Sequence, residues 1–246
     1  LEENPDTFWV TNYHGLLKLT LKDADIRKPQ FINYQANAES PTTLINSYTL
    51  QLEKDKGGSL WIGTFSGLSK LISERAEGSF SNHTTSFGRS DQLSNNSIKK
   101  IFRDSRDRLW IGTQTGLNLY IEESNSFIQF GRPEGLPSEY ILGIAEDSEN
   151  QLWITTTNGV FKGIYNDSMK AFVHIEYFTG KDGLADNISN RNAIFIDEDD
   201  HVFIGSSKGI SVLNNAQSQM DLRKYNLGIT TLESIRKKES GFVSVL

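Results

Sequence analysis

The chain has 246 residues, 37% of them hydrophobic and 11% aromatic, enough for one sizeable all-β core. Its formal net charge of −6, with no cluster of Lys or Arg, argues against nucleic acid as a partner, because phosphate binding needs concentrated positive charge. There is no cysteine, so disulfides, thiolate metal sites and Cys nucleophiles are excluded, and no apolar run approaches the roughly 18 residues of a membrane span.

In chain order, the first element is Phe8-Trp9-Val10, followed by Asn12-Tyr13-His14 and then Gly15-Leu16. The pattern returns as Leu60-Trp61-Ile62 with Gly67-Leu68, Leu109-Trp110-Ile111 with Gly116-Leu117, Leu152-Trp153-Ile154 with Gly159-Val160, and Val202-Phe203-Ile204 with Gly209-Ile210. The aromatic advances by 52, 49, 43 and 50 residues, a period that signals a repeat architecture. An apolar–aromatic–β-branched triplet suits a half-buried strand, and a Gly six residues after every aromatic suits a turn needing positive φ. Each copy therefore predicts a β-hairpin.

A further strand precedes the hairpin in four repeats, at Tyr48–Asp55, Ser97–Asp104, Tyr140–Asp147 and Ala193–Asp197, closed each time by an Asp suited to a turn. A short aromatic strand follows it, at Phe31–Tyr34, Phe127–Phe130, Ile175–Phe178 and, more weakly, Thr85–Phe87. The unit is thus four strands, A to D. The expected fold is all-β: a propeller of about five four-stranded antiparallel blades with almost no helix, part of a larger propeller. Residues 1–226 form the repeats, with the first lacking its strand A. Residues 227–246 are expected either to close the propeller, with Leu232 and Ile235 as the missing strand A, or to begin a following β-sandwich.

The strings Gly135-Leu136-Pro137-Ser138, Ile141, Ile144, Asp147, Leu152-Trp153-Ile154 and Gly159-Val160 resemble the two-component regulator propeller repeat. Asp182-Gly183-Leu184 through Lys208-Gly209-Ile210 is similar to the last blade of that family. The resemblance implies a periplasmic sensor module of a bacterial membrane-bound signalling protein, non-enzymatic itself, whose parent carries a histidine kinase or cyclic-dinucleotide synthase domain. Such propellers usually close with about seven blades, two more than this chain shows.

In an up-and-down blade the B–C turns and D–A loops lie at one end of the sheet and the Asp-closed A–B turns at the other. The first end gathers residues that differ from copy to copy: Asn12, Tyr13, His14, Phe65, Gln114, Thr115, Tyr140, Asn158, Asn187, Asn190 and Arg191. Variation on a fixed scaffold is what a ligand site looks like. Tyr13, His14, Phe65, Gln114, Tyr140 and Arg191 are the candidate ligand-binding residues; no catalytic residue, metal ligand or cofactor is assigned. The expected partners are a small-molecule or carbohydrate ligand and a second copy in a homodimer, with membrane contact only through the parent protein. A protein-interaction propeller and a propeller lyase or glycosidase are the alternative readings. The lyase or glycosidase is disfavoured because Glu134, Glu139, Asp182 and Asp186 sit only at the rim of this end.

Other motifs are absorbed by the repeat. Gly205-Ser206-Ser207-Lys208-Gly209 matches a nucleophile elbow, yet its sister copies are hairpin turns. Ser97 and Lys100 match S-x-x-K but would point to opposite faces of a strand. His14, His83, His174 and His201 are scattered without zinc-site spacing, and Asp197–Asp200 lacks the Gly and distal Glu of a calcium loop.

Overall fold

The structure is a computed structural model that describes residues 1–21, 25, 27–74, 78–213 and 242–245, the last four as backbone alone. It divides into two compact units, Leu1–Gln129 and Phe130–Leu246. Five antiparallel sheets carry the chain, each with its strands in consecutive order, and the fold is an all-β propeller type. The first unit holds β1 (Glu2–Asn4), β2 (Thr7–Asn12), β3 (Gly15–Leu21) and β4 (Pro29–Tyr34), then β5 (Thr49–Lys54), β6 (Leu60–Thr64), β7 (Leu68–Ser73) and β8 (Ser79–His83). Its third sheet is β9 (Ile98–Arg103), β10 (Leu109–Thr113), β11 (Gly116–Ile121) and β12 (Ser126–Phe130), whose last residue opens the second unit. The second unit holds β13 (Ile141–Glu146), β14 (Leu152–Thr156), β15 (Gly159–Asn166) and β16 (Ala171–Phe178), then β17 (Ser189–Ile196), β18 (Val202–Ser206), β19 (Gly209–Leu213) and β20 (Phe242–Val245). Among the described residues the only helical turn is Gly180–Asp182, and no helix is long and apolar enough to cross a membrane.

One packing rule builds both units. The aromatic of one sheet lies against the aliphatic pair that flanks the next sheet's aromatic. Trp9 and Leu16 meet Leu60 and Ile62, and Trp61 and Leu68 meet Leu109 and Ile111 in the first unit. Trp153 and Val160 meet Val202 and Ile204 in the second. All four Trp rings are at most 2% exposed, as their repeated apolar neighbours predict.

The turns explain the remaining repeat positions. Asp104 Oδ1 accepts the backbone N–H groups of Arg106 and Arg108, and Asp147 and Asp197 do the same for the equivalent residues. The residue three past each Asp (Gly58, Asp107, Asn150, Asp200) adopts positive φ, which Gly, Asn and Asp tolerate best. The second carboxylate oxygen holds the core ring in place: Asp55, Asp104 and Asp147 each accept the indole N–H of their own blade's Trp, at 2.8–2.9 Å. Glu3 serves Trp9 in the same way. At the opposite end of each hairpin, the hydroxyls of Thr64, Thr113, Thr156 and Ser206 donate to the carbonyls of Gly67, Gly116, Gly159 and Gly209.

The structure departs from the sequence reading in three places. The first repeat, read as lacking strand A, has β1, a three-residue strand paired irregularly with β2; so short a segment carries no apolar alternation to reveal it. Strand D of the second repeat is β8, not Thr85–Phe87. Phe80 supplies its core residue while Phe87 is fully exposed, so the buried aromatic and not the nearest aromatic sets the strand. Phe242–Val245 pairs with β19 as the fourth strand of the fifth sheet. Leu232, Ile235 and the boundary expected at 226/227 lie outside the described residues.

Candidate functional site

The D–A loops share a device. Asn46 Oδ1 accepts the N–H of Tyr48, Asn95 Oδ1 that of Ser97, Ser138 Oγ that of Tyr140 and Asp186 Oδ1 that of Ile188. A side chain that bonds the backbone two residues on fixes a tight turn without specifying the next side chain. Tyr48, Ser97, Tyr140 and Ile188 are therefore equivalent: one backbone geometry that presents different chemistries.

In the first unit this geometry produces an aromatic shelf. Tyr13, on the β2–β3 turn, stacks on Tyr48 with centroids 4.3 Å apart and planes at 22°. Phe65, on the β6–β7 turn, meets Tyr48 edge-on at 5.8 Å. Tyr13, Tyr48 and Phe65 remain 65%, 39% and 56% exposed. Lys99 Nζ lies 5.6 Å from the Phe65 centroid and donates to Ser97 Oγ at 2.8 Å, a cation that is itself buried, only 4% exposed.

The backbone beneath is tied down. The Phe65 N–H bonds the Tyr48 carbonyl, the Thr49 hydroxyl reaches the carbonyls of Asn12 and Gly15, and Asn46 Nδ2 donates to Ser66 Oγ. A rigid, exposed aromatic surface with few rotatable bonds is suited to stacking on the flat face of a ring.

Of the six sequence candidates, the structure joins Tyr13 and Phe65 through Tyr48. His14 is exposed at the tip of Tyr13's turn, its N–H held by Asn12 Oδ1 and its carbonyl bonded by Asn33 and Gln35. Gln114 is held by its N–H to the Ser97 carbonyl, beside the residue that bonds Lys99. Tyr140 and Arg191 belong to the second unit, Tyr140 half-buried on its loop and Arg191 exposed in β17. Sequence reasoning missed Tyr48 and Lys99. Tyr48 was legible, because it occupies the place of Tyr140 in its own repeat; Lys99 sits inside a strand and gave no such signal.

Two other features are accounted for. A 260 Å³ cleft in the first unit, lined by Glu3, Lys54, Gly57, Gly58 and Glu74, lies at the Asp-closed end, where Lys18 already pairs with Glu3 and Glu74. Asp197, Asp199 and His201 bring one donor atom each within 4.8 Å of one another. This is the fifth blade's version of the Asp-closed turn. Phe203 has no indole N–H, and His201 Nδ1 takes its place on Asp197 Oδ2 at 2.9 Å.

Repeated four-stranded sheets stacked aromatic against aliphatic, with variable loops at one end, define a propeller-type domain. The profile of the two component regulator propeller family matches residues 92–115 and 135–158, and the chain is related to that family. A search of curated proteins found no match. Among solved structures, it is similar to the extracellular domain of BT3049, described as a hybrid two component system of B. thetaiotaomicron (22% identity, TM-score 0.69, 85% of this chain and 26% of that one). The extracellular domain of BT4673 from the same organism, described as a one component system, gives 23% identity and a TM-score of 0.63 over 85% of this chain and 26% of that one. Virginiamycin B lyase of Staphylococcus aureus follows at 14% identity and a TM-score of 0.54, over 82% and 60%. These likenesses are of fold. The chain spans about a quarter of the length of the two B. thetaiotaomicron domains.

Proposed function

We propose that the chain is a ligand-sensing module of an extracytoplasmic signalling receptor, non-enzymatic by itself, and that the Tyr13–Tyr48–Phe65 shelf seats the ligand. The observation that carries this is the shelf itself: three exposed rings from two blades, brought together on a bonded backbone that holds them without burying them. A small molecule or carbohydrate with a flat apolar face fits such a surface, and the exposed Gln114 and His14 offer polar contacts near it. Relation to the two component regulator propeller family supports the receptor context.

Isothermal titration against an oligosaccharide panel tests the reading. Tyr13→Ala, Tyr48→Ala and Phe65→Ala are each expected to weaken binding about tenfold or more, roughly 1.4 kcal/mol. The melting temperature should barely move, because exposed loop positions contribute little to stability. Undiminished affinity in the triple variant would refute the assignment.

A further inference from the structure

The turn that carries Tyr13 is bonded differently from its sister turns. On the hairpins of the second to fifth sheets one hydroxyl has two tasks. Thr64, Thr113, Thr156 and Ser206 each accept the N–H two residues on and donate to the carbonyl of the turn glycine. Asn12 holds that place in the first sheet. Its Oδ1 accepts the His14 N–H, but an amide oxygen has no hydrogen to give to Gly15.

The donor comes instead from the second sheet. Thr49 Oγ1 donates to the Gly15 carbonyl at 2.8 Å and to the Asn12 carbonyl at 3.0 Å, and it accepts the Asn12 N–H at 3.0 Å. Thr49 is buried, so water does not replace these bonds when the hydroxyl is removed. Strand register puts Ile98, Ile141 and Ser189 at the same place in the third, fourth and fifth sheets. The two isoleucines have no hydroxyl. Ser189 has one, yet Thr156 already serves Gly159, and the buried Ser189 Oγ has no partner among the described residues. The hydroxyl at this place is therefore bonded where the preceding hairpin lacks its own.

Thr49 also directly follows Tyr48, whose ring stacks on Tyr13. We infer that Thr49 is the positioning residue of the shelf: its hydroxyl fixes the Tyr13 turn against the strand that carries Tyr48, and so sets the stack. Its use in binding rests on the shelf reading, whereas the stack itself is measurable without a ligand.

19F NMR of 3-fluorotyrosine-labelled protein reads the stack, with the two resonances assigned by Tyr13→Phe and Tyr48→Phe. Thr49→Val has the same shape without the hydroxyl. It is expected to move both resonances toward the free amino acid and to speed hydrogen exchange at the Asn12 amide. Thr49→Ser keeps the hydroxyl and should retain the wild-type shifts. Adding Asn12→Thr to Thr49→Val separates positioning from stability, because it returns to the hairpin a hydroxyl of its own. The melting temperature should then recover while the ring shifts do not. Wild-type shifts in Thr49→Val overturn the assignment, as do shifts lost equally in Thr49→Ser or fully recovered with Asn12→Thr.

In titration with the oligosaccharide panel, Thr49→Val should weaken binding about tenfold, as Tyr13→Ala does, and add nothing in the Tyr13→Ala background, since both act through one ring. Additive losses overturn the positioning role. If the panel shows no binding, or the triple shelf variant binds undiminished, the ligand reading falls and the ring shifts still decide the role of Thr49.

Discussion

Trp110→Ala is expected to cost roughly 3–5 kcal/mol of folding stability, read as a drop in the denaturation midpoint. The ring is fully buried, and no small residue can fill the space it leaves. Its indole N–H is a smaller part of the loss, because Asp104 Oδ2 keeps the Arg108 guanidinium after the indole is gone. The fourth blade separates the two contributions. Trp153→Phe should cost less, about 1–3 kcal/mol, as the ring volume largely survives while Asp147 Oδ2 loses a donor. Adding Gln151→His recreates the fifth blade's solution, in which a histidine four residues past the Asp supplies the N–H, and part of the loss should return. Loss of less than 1 kcal/mol in Trp110→Ala would mean that the ring does not anchor the inter-sheet core.

The repeat could be read from the sequence because its constraints are local and recur. Gly116 sits at φ 142°, as its hairpin turn demands, and Thr113 and Asp104 act within six residues of themselves. What stayed hidden depends on partners that only folding brings together. That Asp104 also serves Trp110 is invisible until the turn closes, although their constant spacing of six residues recurs in the second, third, fourth and fifth repeats. The same holds for Lys18, Lys70 and Lys162, which lie about 5 Å over Trp9, Trp61 and Trp153 only because they are the cross-strand partners of those rings. The candidate site was half legible. Tyr13 and Phe65 stand out as large residues on turns, but the contact with Tyr48 that makes them a surface spans two repeats.

Folding stability is expected to fall by on the order of 3 kcal/mol between pH 6.5 and pH 4, and His83 is the cause. Its ring is stacked on Trp61 at 5.4 Å, with Phe127 at 5.5 Å and Tyr120 at 6.1 Å edge-on, and its buried Nε2 has no hydrogen-bond partner among the described residues. Burial, with a smaller push from the Lys70 ammonium, takes its pKa down from 6.5 to about 4. The imidazole is therefore neutral in the folded chain at pH values where the unfolded chain already binds a proton. Stability is complete above pH 6.5, declines as pH drops below it at up to about 1.4 kcal/mol per unit, and levels off near pH 4. Carboxylates act in a lower window. Asp55 would be raised by burial, but hydrogen bonds from Lys70, Trp61 and Ser59 outweigh that and hold it below the usual range, so its contribution disappears only in stronger acid. Denaturant midpoints at half-unit steps from about pH 7.5 to about 4.5 would show the decline. His83→Phe keeps an aromatic in the box and removes the titrating group, so its curve should be flat across that interval. An equal slope in the variant would assign the acid sensitivity elsewhere.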